Sequence, residues 1–321
     1  MKSYKKIIES LGRERVVVNE LLNKYSSFRL GGPADLFFKA KTVDELVCAV
    51  SIAKINKIPL FIMSGGTNLL ISDDGFRGLV IKNETDKIRL VGVKGDNKIR
   101  SVFLEADSGV GVNRLVRYTL EQGLSGLEPF LGQPGSIGGA IWINAHNMRL
   151  GKYFGDSVYS AIVLDENCEM KKVSKSYFNF GYDESILQKT HETVLSVVFK
   201  LETGDGKSLW KKATMAQEYR SNTQPKGVFS SGCTFRNISQ SDAIRLSSPN
   251  YTRSAGFILE SLGLKGKTIG GAMYSCEHAN FIVHKGQTKA SDVLELIKLA
   301  KKLALEKYSI DLKEEIVLVG F

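Results

Sequence analysis

The sequence predicts a mixed α/β (α+β) protein built from two domains. The chain has 321 residues, and a single hydrophobic core stops growing at roughly 250–300 residues, so two packed domains are expected. Strand-like and helix-like segments alternate in the first half. After residue 203 the sequence becomes polar and rich in turns, and a long amphipathic segment follows near the end.

Hydrophobic periodicity predicts the elements of the first half. Short apolar runs indicate strands, and apolar residues at helical spacing indicate helices. The predicted strands are 34–40, 59–63, 78–82 and 99–106, and the predicted helices are 43–57 and 112–122. Gly123 is a stop signal for the second helix.

The second half contains a polar helix-like segment after residue 206, two further predicted helices and a final strand. Gly263 ends a short helix at 255–262, and strand 316–319 follows the long helix. Ser291 is the expected N-cap of the long helix at 291–307. The apolar face of that helix comprises Val293, Leu296, Ile297, Ala300, Leu303 and Ala304.

Composition narrows the classes of function. The net charge of +10 is spread along the chain, which favours a solvated basic surface or an anionic substrate over a nucleic-acid partner. Four scattered cysteines indicate neither a disulfide framework nor a metal site. The start lacks the apolar core of a signal peptide, and no run reaches the ~18 apolar residues of a membrane span. We therefore expect a cytoplasmic protein without a membrane partner.

Two glycine-rich loops, at 64–68 and 134–140, have the composition of an anion cradle. Glycine permits positive φ and a close approach of backbone N–H groups to an anion, although such loops also serve as tight turns. Neither loop has the Gly-x-Gly-x-x-Gly pattern of a Rossmann site or the Gly-Lys-Ser/Thr ending of a P-loop. Those two nucleotide sites are not supported.

Several motifs follow one another in order along the chain. They are Ser27-Phe28-Arg29-x-Gly31-Gly32-Pro33-Ala34, Gly65-Gly66-Thr67-Asn68, Pro134-Gly135-x-x-Gly138-Gly139, Ser231-Gly232-Cys233-Thr234-Phe235-Arg236-Asn237 and His278-Ala279-Asn280-Phe281. In this order the motifs resemble those of the UDP-N-acetylenolpyruvoylglucosamine reductase family. Any one match is weak, but the ordered set is very specific.

The resemblance implies a fold and a reaction. It implies a two-part FAD-binding domain of the vanillyl-alcohol-oxidase-like type at 25–203, preceded by a helical lead-in at 1–24. A substrate-binding α/β domain at 204–321 completes the shorter form of the family. FAD is held noncovalently, NADPH supplies a hydride, and the enolpyruvyl ether of a UDP-sugar is reduced in peptidoglycan precursor synthesis.

The resemblance also assigns binding residues. The implied cofactor-binding residues are Arg29, Gly31, Gly32, Gly65, Gly66, Thr67, Asn68, Pro134, Gly135, Ser136, Gly138 and Gly139. The implied substrate-binding residues are Tyr182, Arg220, Thr223 and Asn237.

Two residues occupy the positions implied to be catalytic. Cys233 stands where the family has its proton donor, usually a serine, and a thiol is a stronger acid than a hydroxyl. The alternative for Cys233 is a small buried apolar side chain. Glu315 matches the catalytic glutamate that orients the acid group, and its register with Gly320 favours it over Glu314.

Two departures weaken this assignment. Asp183 occupies the position of an arginine that holds the substrate carboxylate, and Thr223 replaces a lysine of many relatives. Either another cation (Arg149, Lys152 or Arg236) compensates, or the register differs, or catalysis is slow or redirected. The competing hypotheses are an FAD oxidoreductase with another substrate and a flavin or UDP-sugar binding protein with weakened turnover.

Overall fold

The computed structural model describes residues 2–95 and 100–321. The α-helices are α1 (Lys2–Leu11), α2 (Val43–Ile55), α3 (Val112–Glu121), α4 (Ile137–Ile143), α5 (Leu187–Thr190), α6 (Gly206–Thr223), α7 (Gln240–Arg245), α8 (Ala255–Ser261) and α9 (Ala290–Tyr308). Short 3-10 helices lie at Leu22–Tyr25, Glu128–Phe130, Met148–Leu150, Phe154–Ser157, Lys175–Phe178 and Pro249–Tyr251.

The strands fall into several small sheets. They are β1 (Val16–Leu21), β2 (Pro33–Ala40), β3 (Leu60–Met63), β4 (Leu69–Ile71), β5 (Phe76–Asn83), β6 (Ile88–Gly95), β7 (Arg100–Asp107), β8 (Leu124–Ser125), β9 (His146–Asn147), β10 (Lys152–Tyr153), β11 (Val158–Leu164), β12 (Met170–Ser174), β13 (Thr193–Thr203), β14 (Thr268–Ile269), β15 (Ala272–Tyr274), β16 (Ile282–Val283) and β17 (Val317–Val319). The start of the predicted strand 99–106, residue 99, lies outside the described residues.

The chain divides into two compact units. The first unit contains 1–19, 35–65 and 78–220, and the second contains 20–34, 66–77 and 221–321. Two segments from the amino-terminal part of the chain, 20–34 and 66–77, therefore belong with the carboxyl-terminal part. The domain boundaries inferred from the sequence at residues 24 and 203 stay a prediction.

The first sheet of the first unit has the order β1-β2-β5-β3, and β3 runs parallel to β5. Helix α2 begins where Thr42 accepts a hydrogen bond from the Glu45 N–H at 3.2 Å. Its buried residues, Leu46, Ala49, Val50 and Ala53, recur at helical spacing and join the core of this sheet. The predicted β-α-β start is thereby confirmed.

The second sheet of the first unit is antiparallel, with the order β12-β11-β13-β7-β6 and β8 paired to β13. Its centre is β13, whose Phe199 is opposite Leu104 of β7 and fully buried. The Phe154 ring lies 5.5 Å from the Phe199 ring in an edge-to-face arrangement. Helix α3 packs its predicted apolar face, which includes Leu115, into the same core.

The core of the second unit forms around α9. The buried face of α9 joins a cluster that includes Ile258 and Leu259 of α8 and the fully buried Tyr274 of β15. The Tyr274 hydroxyl donates to the Leu296 carbonyl at 3.2 Å, so this buried polar atom is satisfied. The predicted amphipathic helix is therefore confirmed.

The start of α9 differs from the prediction. Ser291 is the second residue of the helix and not its N-cap, which is Lys289. The Ala290 and Ser291 N–H groups donate to the Asp73 carboxylate at 2.8 and 3.0 Å. A carboxylate distant in sequence thus satisfies the first N–H groups, which the sequence pattern could not reveal.

Asp73→Ala tests this cap. We expect the free energy of unfolding to fall by about 1–2 kcal/mol, because two helix N–H groups lose their acceptor. The measurement is urea denaturation followed by circular dichroism. The control is Asp74→Ala, a neighbouring exposed carboxylate, and equal losses in both variants would contradict the assignment.

A buried carboxylate in the first unit predicts a pH dependence. Burial raises the pKa of Glu192, but hydrogen bonds from Lys171, Tyr177 and Thr190 outweigh it and hold the pKa below its ordinary value. A lowered folded-state pKa stabilises the fold above the unfolded pKa of about 4.3. That contribution is lost as the pH falls through the folded-state value.

Glu192→Gln should therefore lower the free energy of unfolding by about 1–3 kcal/mol at pH 7. The difference from the unsubstituted protein should shrink as the pH falls below about 4, because the carboxylate is then being protonated. Denaturant titrations across this range measure both effects. Glu166→Gln, at an exposed turn position, serves as the control, and a pH-independent difference would contradict the explanation.

Candidate active site

The segment that carries Cys233 runs beside the segment that carries Glu315 in the second unit. The Glu315 N–H donates to the Thr234 carbonyl at 2.9 Å. Cys233 also forms an antiparallel bridge with Phe281. Cys233 is the residue before Thr234. Cys233 and Glu315 therefore lie on neighbouring hydrogen-bonded segments, although they are far apart in sequence.

Asn280 fixes the backbone at this point. Its side chain is 3% exposed, accepts from the Phe235 N–H at 3.0 Å and donates to the Phe235 carbonyl at 2.8 Å. The Asn280 carbonyl accepts from the Thr234 N–H at 2.7 Å. Asn280 belongs to a motif noted in the sequence, but its role as the support of the Cys233 segment required the structure.

The two neighbouring glutamates differ in their surroundings. Glu314 forms an ion pair with Lys301 at 2.9 Å. The Glu315 carbonyl accepts from the Asn68 side-chain amide at 3.0 Å, which ties this position to the end of the first glycine loop. The choice of Glu315 as the functional carboxylate stays a prediction.

Asn237 and Thr223 occupy different settings in the second unit. The Asn237 side chain accepts from the Ala255 N–H at 3.2 Å, at the start of α8. Ser254 caps the same helix by accepting from the Phe257 N–H at 3.2 Å. Thr223 is exposed at the last position of α6. The roles inferred for both residues in substrate binding remain predictions.

Glycines of the second unit are required by close backbone contacts. A Cβ at Gly32 would lie 2.0 Å from the Asp73 carbonyl oxygen. Gly66 has a φ of +61°, and a Cβ there would lie 2.2 Å from the Tyr25 carbonyl oxygen. Gly31 has a φ of +127°, and a Cβ there would meet the Ile71 side chain. These glycines let segment 20–34 pack on segment 66–77.

The glycine motif of the first unit starts a helix. Ser136 is the N-cap of α4 and accepts from the Gly139 N–H at 3.5 Å. The Gly138 N–H donates to the Ser108 carbonyl at 2.8 Å, and a Cβ at Gly138 would approach that residue within 3.2 Å. Gly135, next to Pro134, has a φ of +106°. Hydrophobic periodicity missed this short helix.

The two glycine loops offer backbone donors that suit an anionic cofactor. The N–H groups of Gly66 and Thr67 in the second unit donate to no residue that the structure describes. The same holds for the N–H groups of Gly135 and Ser136 in the first unit. Such amides can hold the phosphates of a dinucleotide, so the residues present fit FAD.

Two basic residues accompany the loops. Burial lowers the pKa of Lys82, whose ammonium group donates to the Ser64 carbonyl just before Gly65. Arg29 is exposed, has a φ of +56° and donates to the Lys24 carbonyl at 3.2 Å. The role of Arg29 in cofactor binding stays a prediction.

The remaining predicted substrate residues lie in the first unit. Arg220, on α6, contacts the Gln133 side chain at 3.5 Å, immediately before the second glycine motif. Tyr182 and Asp183 lie in a turn after the Lys175–Phe178 3-10 helix, and the Asp183 side chain is 1% exposed. His146, which the sequence did not single out, lies beside Asp183, with Nδ1 3.1 Å from Asp183 Oδ1.

Other site types find no support in the described parts of the chain. No helix there is long and apolar enough to cross a bilayer, and no group of three His, Cys, Asp or Glu side chains could hold a metal ion. No disulfide joins the four cysteines.

Comparison with known proteins identifies the family. The chain is 34% identical to the UDP-N-acetylenolpyruvoylglucosamine reductase of Clostridium tetani (strain Massachusetts / E88), over 98% of this chain and 95% of that protein. The chain belongs to the UDP-N-acetylenolpyruvoylglucosamine reductase family. The Clostridium botulinum (strain Hall / ATCC 3502 / NCTC 13319 / Type A) reductase is 33% identical over 100% of this chain and 99% of its own length.

Family models and a crystal structure agree with this membership. Residues 224–319 match the carboxyl-terminal domain of UDP-N-acetylenolpyruvoylglucosamine reductase, and residues 34–174 match an FAD binding domain. The reductase crystal structure from Thermus caldophilus superposes with a TM-score of 0.75 at 30% identity, covering 95% of this chain and 99% of that chain. The predicted mixed α/β fold with an FAD-binding domain is confirmed, and the length suits the shorter form of the family.

Gly32→Ala tests the close backbone contact in the second unit. We expect a loss of about 1–3 kcal/mol or more in the free energy of unfolding, because the added methyl group meets a carbonyl oxygen that cannot move without the chain. The amount of flavin bound to the protein should fall together with the stability. Gly206→Ala is the control, since its Cβ meets nothing within 4 Å. Unchanged stability and flavin content in Gly32→Ala would contradict the argument.

Proposed function

We propose that this chain reduces UDP-N-acetylglucosamine enolpyruvate to UDP-N-acetylmuramate with NADPH, in peptidoglycan precursor synthesis. The observation that carries the proposal is the pairing of the Cys233 segment with the Glu315 segment inside the stretch that matches the family's carboxyl-terminal domain. When bound, FAD would supply the chemistry of hydride transfer between NADPH and C3 of the enolpyruvyl group.

Cys233 supplies the proton that completes the reduction. Hydride addition at C3 places negative charge on C2 and the adjoining carboxylate, so C2 must take up a proton. The Cys233 thiol donates this proton, and the thiolate that results is reprotonated from solvent. The backbone around Cys233 is held by Asn280 and Phe281, which keeps the donor in a defined place.

Glu315 orients this acid. Its backbone is fixed from both sides, because its N–H donates to the Thr234 carbonyl and its carbonyl accepts from Asn68. A carboxyl group one position from Cys233 can direct the thiol toward C2 or polarise it. Arg220, which carries a positive charge, suits the diphosphate of the UDP-sugar. Asn237 and Tyr182 are the further substrate residues in this proposal.

The protein works in the cytoplasm in this proposal, because NADPH and UDP-sugars are supplied there. The positive net charge of +10 favours the approach of these anionic substrates.

Stopped-flow absorbance of the flavin tests the function. NADPH, added without oxygen, should bleach the flavin, and UDP-N-acetylglucosamine enolpyruvate should then restore its absorbance. Bleaching without recovery would reject the substrate and leave a different FAD oxidoreductase. A protein that binds the UDP-sugar and flavin without steady NADPH consumption would be a binding protein.

Substitutions at Cys233 separate the two half-reactions. Cys233→Ser should keep much of the activity, because a hydroxyl can still donate a proton. Cys233→Ala should leave flavin reduction by NADPH intact and slow reoxidation by about 10²-fold or more. The control is Cys276→Ala, an exposed cysteine of the same unit. Equal loss in both half-reactions of Cys233→Ala would mean that Cys233 is structural.

A further inference from the structure

Asp183 is a carboxylate placed where water cannot reach it. Its side chain is 1% exposed, and neither carboxylate oxygen accepts a hydrogen bond from a residue that the structure describes. A polar group in such a place is costly unless a polar partner lies close to it. The partner is His146, whose Nδ1 lies 3.1 Å from Asp183 Oδ1.

The backbone holds Asp183 in this position. Its φ is +54°, a left-handed conformation that aspartate tolerates better than most residues. The Asp183 carbonyl accepts from the Gln188 side chain at 2.9 Å, and the Gly181 carbonyl accepts from Asn144 at 2.8 Å. Ser185 donates to the Trp142 carbonyl at 2.7 Å. The turn is therefore tied to α4 and the residue after it.

A neighbouring strand and aromatic rings surround His146. It belongs to β9, which pairs with β10, and its ring lies 5.0 Å from the Tyr182 ring and 6.0 Å from the Tyr153 ring. With Nδ1 next to Asp183, the ring geometry turns Nε2 away from the carboxylate. Nε2 makes no hydrogen bond to the described residues.

The other cations considered from the sequence are placed differently. Arg149 is exposed and lies 4.2 Å above the Tyr219 ring, next to Arg220 on α6. Lys152 is exposed on β10, and Arg236 belongs to the second unit, where it donates to the Glu314 carbonyl. Through its contact with Tyr219, Arg149 nevertheless connects the segment that follows His146 with the end of α6. The predicted substrate residue Arg220 lies at that end.

We infer that His146 and Asp183 form a dyad in which His146 Nε2–H binds the substrate carboxylate and stabilises the charge that develops on it. Asp183 is a positioning residue that acts through His146, because its Oδ1 lies against Nδ1 and holds the ring in place. The ligand class is an α,β-unsaturated carboxylate or its reduced product. This inference rests on the proposed function, since it concerns the same substrate.

His146→Gln tests the dyad through the two half-reactions. We expect flavin reduction by NADPH and flavin content to stay within a factor of two, while reoxidation by UDP-N-acetylglucosamine enolpyruvate slows by about 10²-fold, as for the loss of one oxyanion stabiliser. Asp183→Asn should slow reoxidation less, by about 10-fold. His191→Gln is the control, because His191 is an exposed histidine of the same unit.

A double substitution tests whether a side chain at this place binds the substrate carboxylate. His146→Gly should be as slow in reoxidation as His146→Gln. Asp183→Arg added to His146→Gly brings a guanidinium group into the space left by the imidazole, and it should recover at least 10-fold of the lost rate. Recovery would not follow if the pair only filled space.

A measurement on the unsubstituted protein guards against variants that fail to fold. The chain has 4 histidines, so imidazole-labelled protein gives few NMR signals. The His146 signal should shift on adding UDP-N-acetylmuramate, which carries the carboxylate, and stay in place on adding UDP-N-acetylglucosamine, which lacks it. A signal that moves with both ligands or with neither overturns the inference.

The outcomes distinguish this inference from the proposed function. If reduced flavin in the unsubstituted protein is not reoxidised by the enolpyruvyl substrate, the function itself is wrong. If reoxidation is normal and His146→Gln changes it by less than threefold, only the dyad is wrong. Equal slowing of both half-reactions, together with loss of flavin, would assign the pair a purely structural role.

Discussion

The parallel pairing of β4 with β17 is the constraint on which the second unit depends. It joins the last strand of the chain to a segment that precedes it by more than half the sequence. The Ser72 N–H donates to the Val319 carbonyl at 2.8 Å, and Gly320 has room only for hydrogen, since a Cβ would lie 1.9 Å from the Gly75 carbonyl oxygen. Glu315 lies two residues before β17, and the pairing of this strand fixes the position of Glu315 beside the Cys233 segment.

Two buried carboxylates of the first unit, Glu192 and Asp183, differ in the polar groups that surround them. Glu192 accepts hydrogen bonds from Tyr177 and Thr190 and pairs with Lys171, so its charge is fully compensated. Asp183 is more deeply buried, and the described polar side chain beside its carboxylate is that of His146. The second ring nitrogen of a histidine can meet a ligand, so the sparse surroundings of Asp183 suit the role inferred for this pair.

Local pattern predicted the elements that have one clear apolar face or a strong stop signal. Helices α2, α3 and α9 follow the predicted spacing, and strands β2 and β3, which flank α2 in the chain, follow the apolar runs. The antiparallel strands β11 and β13 were not predicted, because β13 is buried on both faces along most of its length and gives no alternation. The start of α9 was placed wrongly because its cap, Asp73, comes from a distant segment.

The glycine motifs illustrate a similar limit. Their composition indicated an anion cradle, and the N–H groups of Gly66 and Ser136 donate to no acceptor among the residues that the structure describes. The same glycines also allow backbone segments to pack within a distance that any side chain would block, as at Gly32. A sequence motif records that a glycine is required, whereas the structure shows which neighbour requires it.

The sequence by itself determined the family, the fold class and the cofactor, and it indicated Cys233 and Glu315 as candidate catalytic residues, because ordered motifs and hydrophobic periodicity are properties of the chain alone. Only the tertiary structure decided which distant residues become neighbours. It paired the Cys233 segment with the Glu315 segment, assigned the Glu314 charge to Lys301 and placed His146 against Asp183. The physical reason is that hydrogen-bond pairing and the compensation of buried charge depend on distance in space, which residue spacing does not encode.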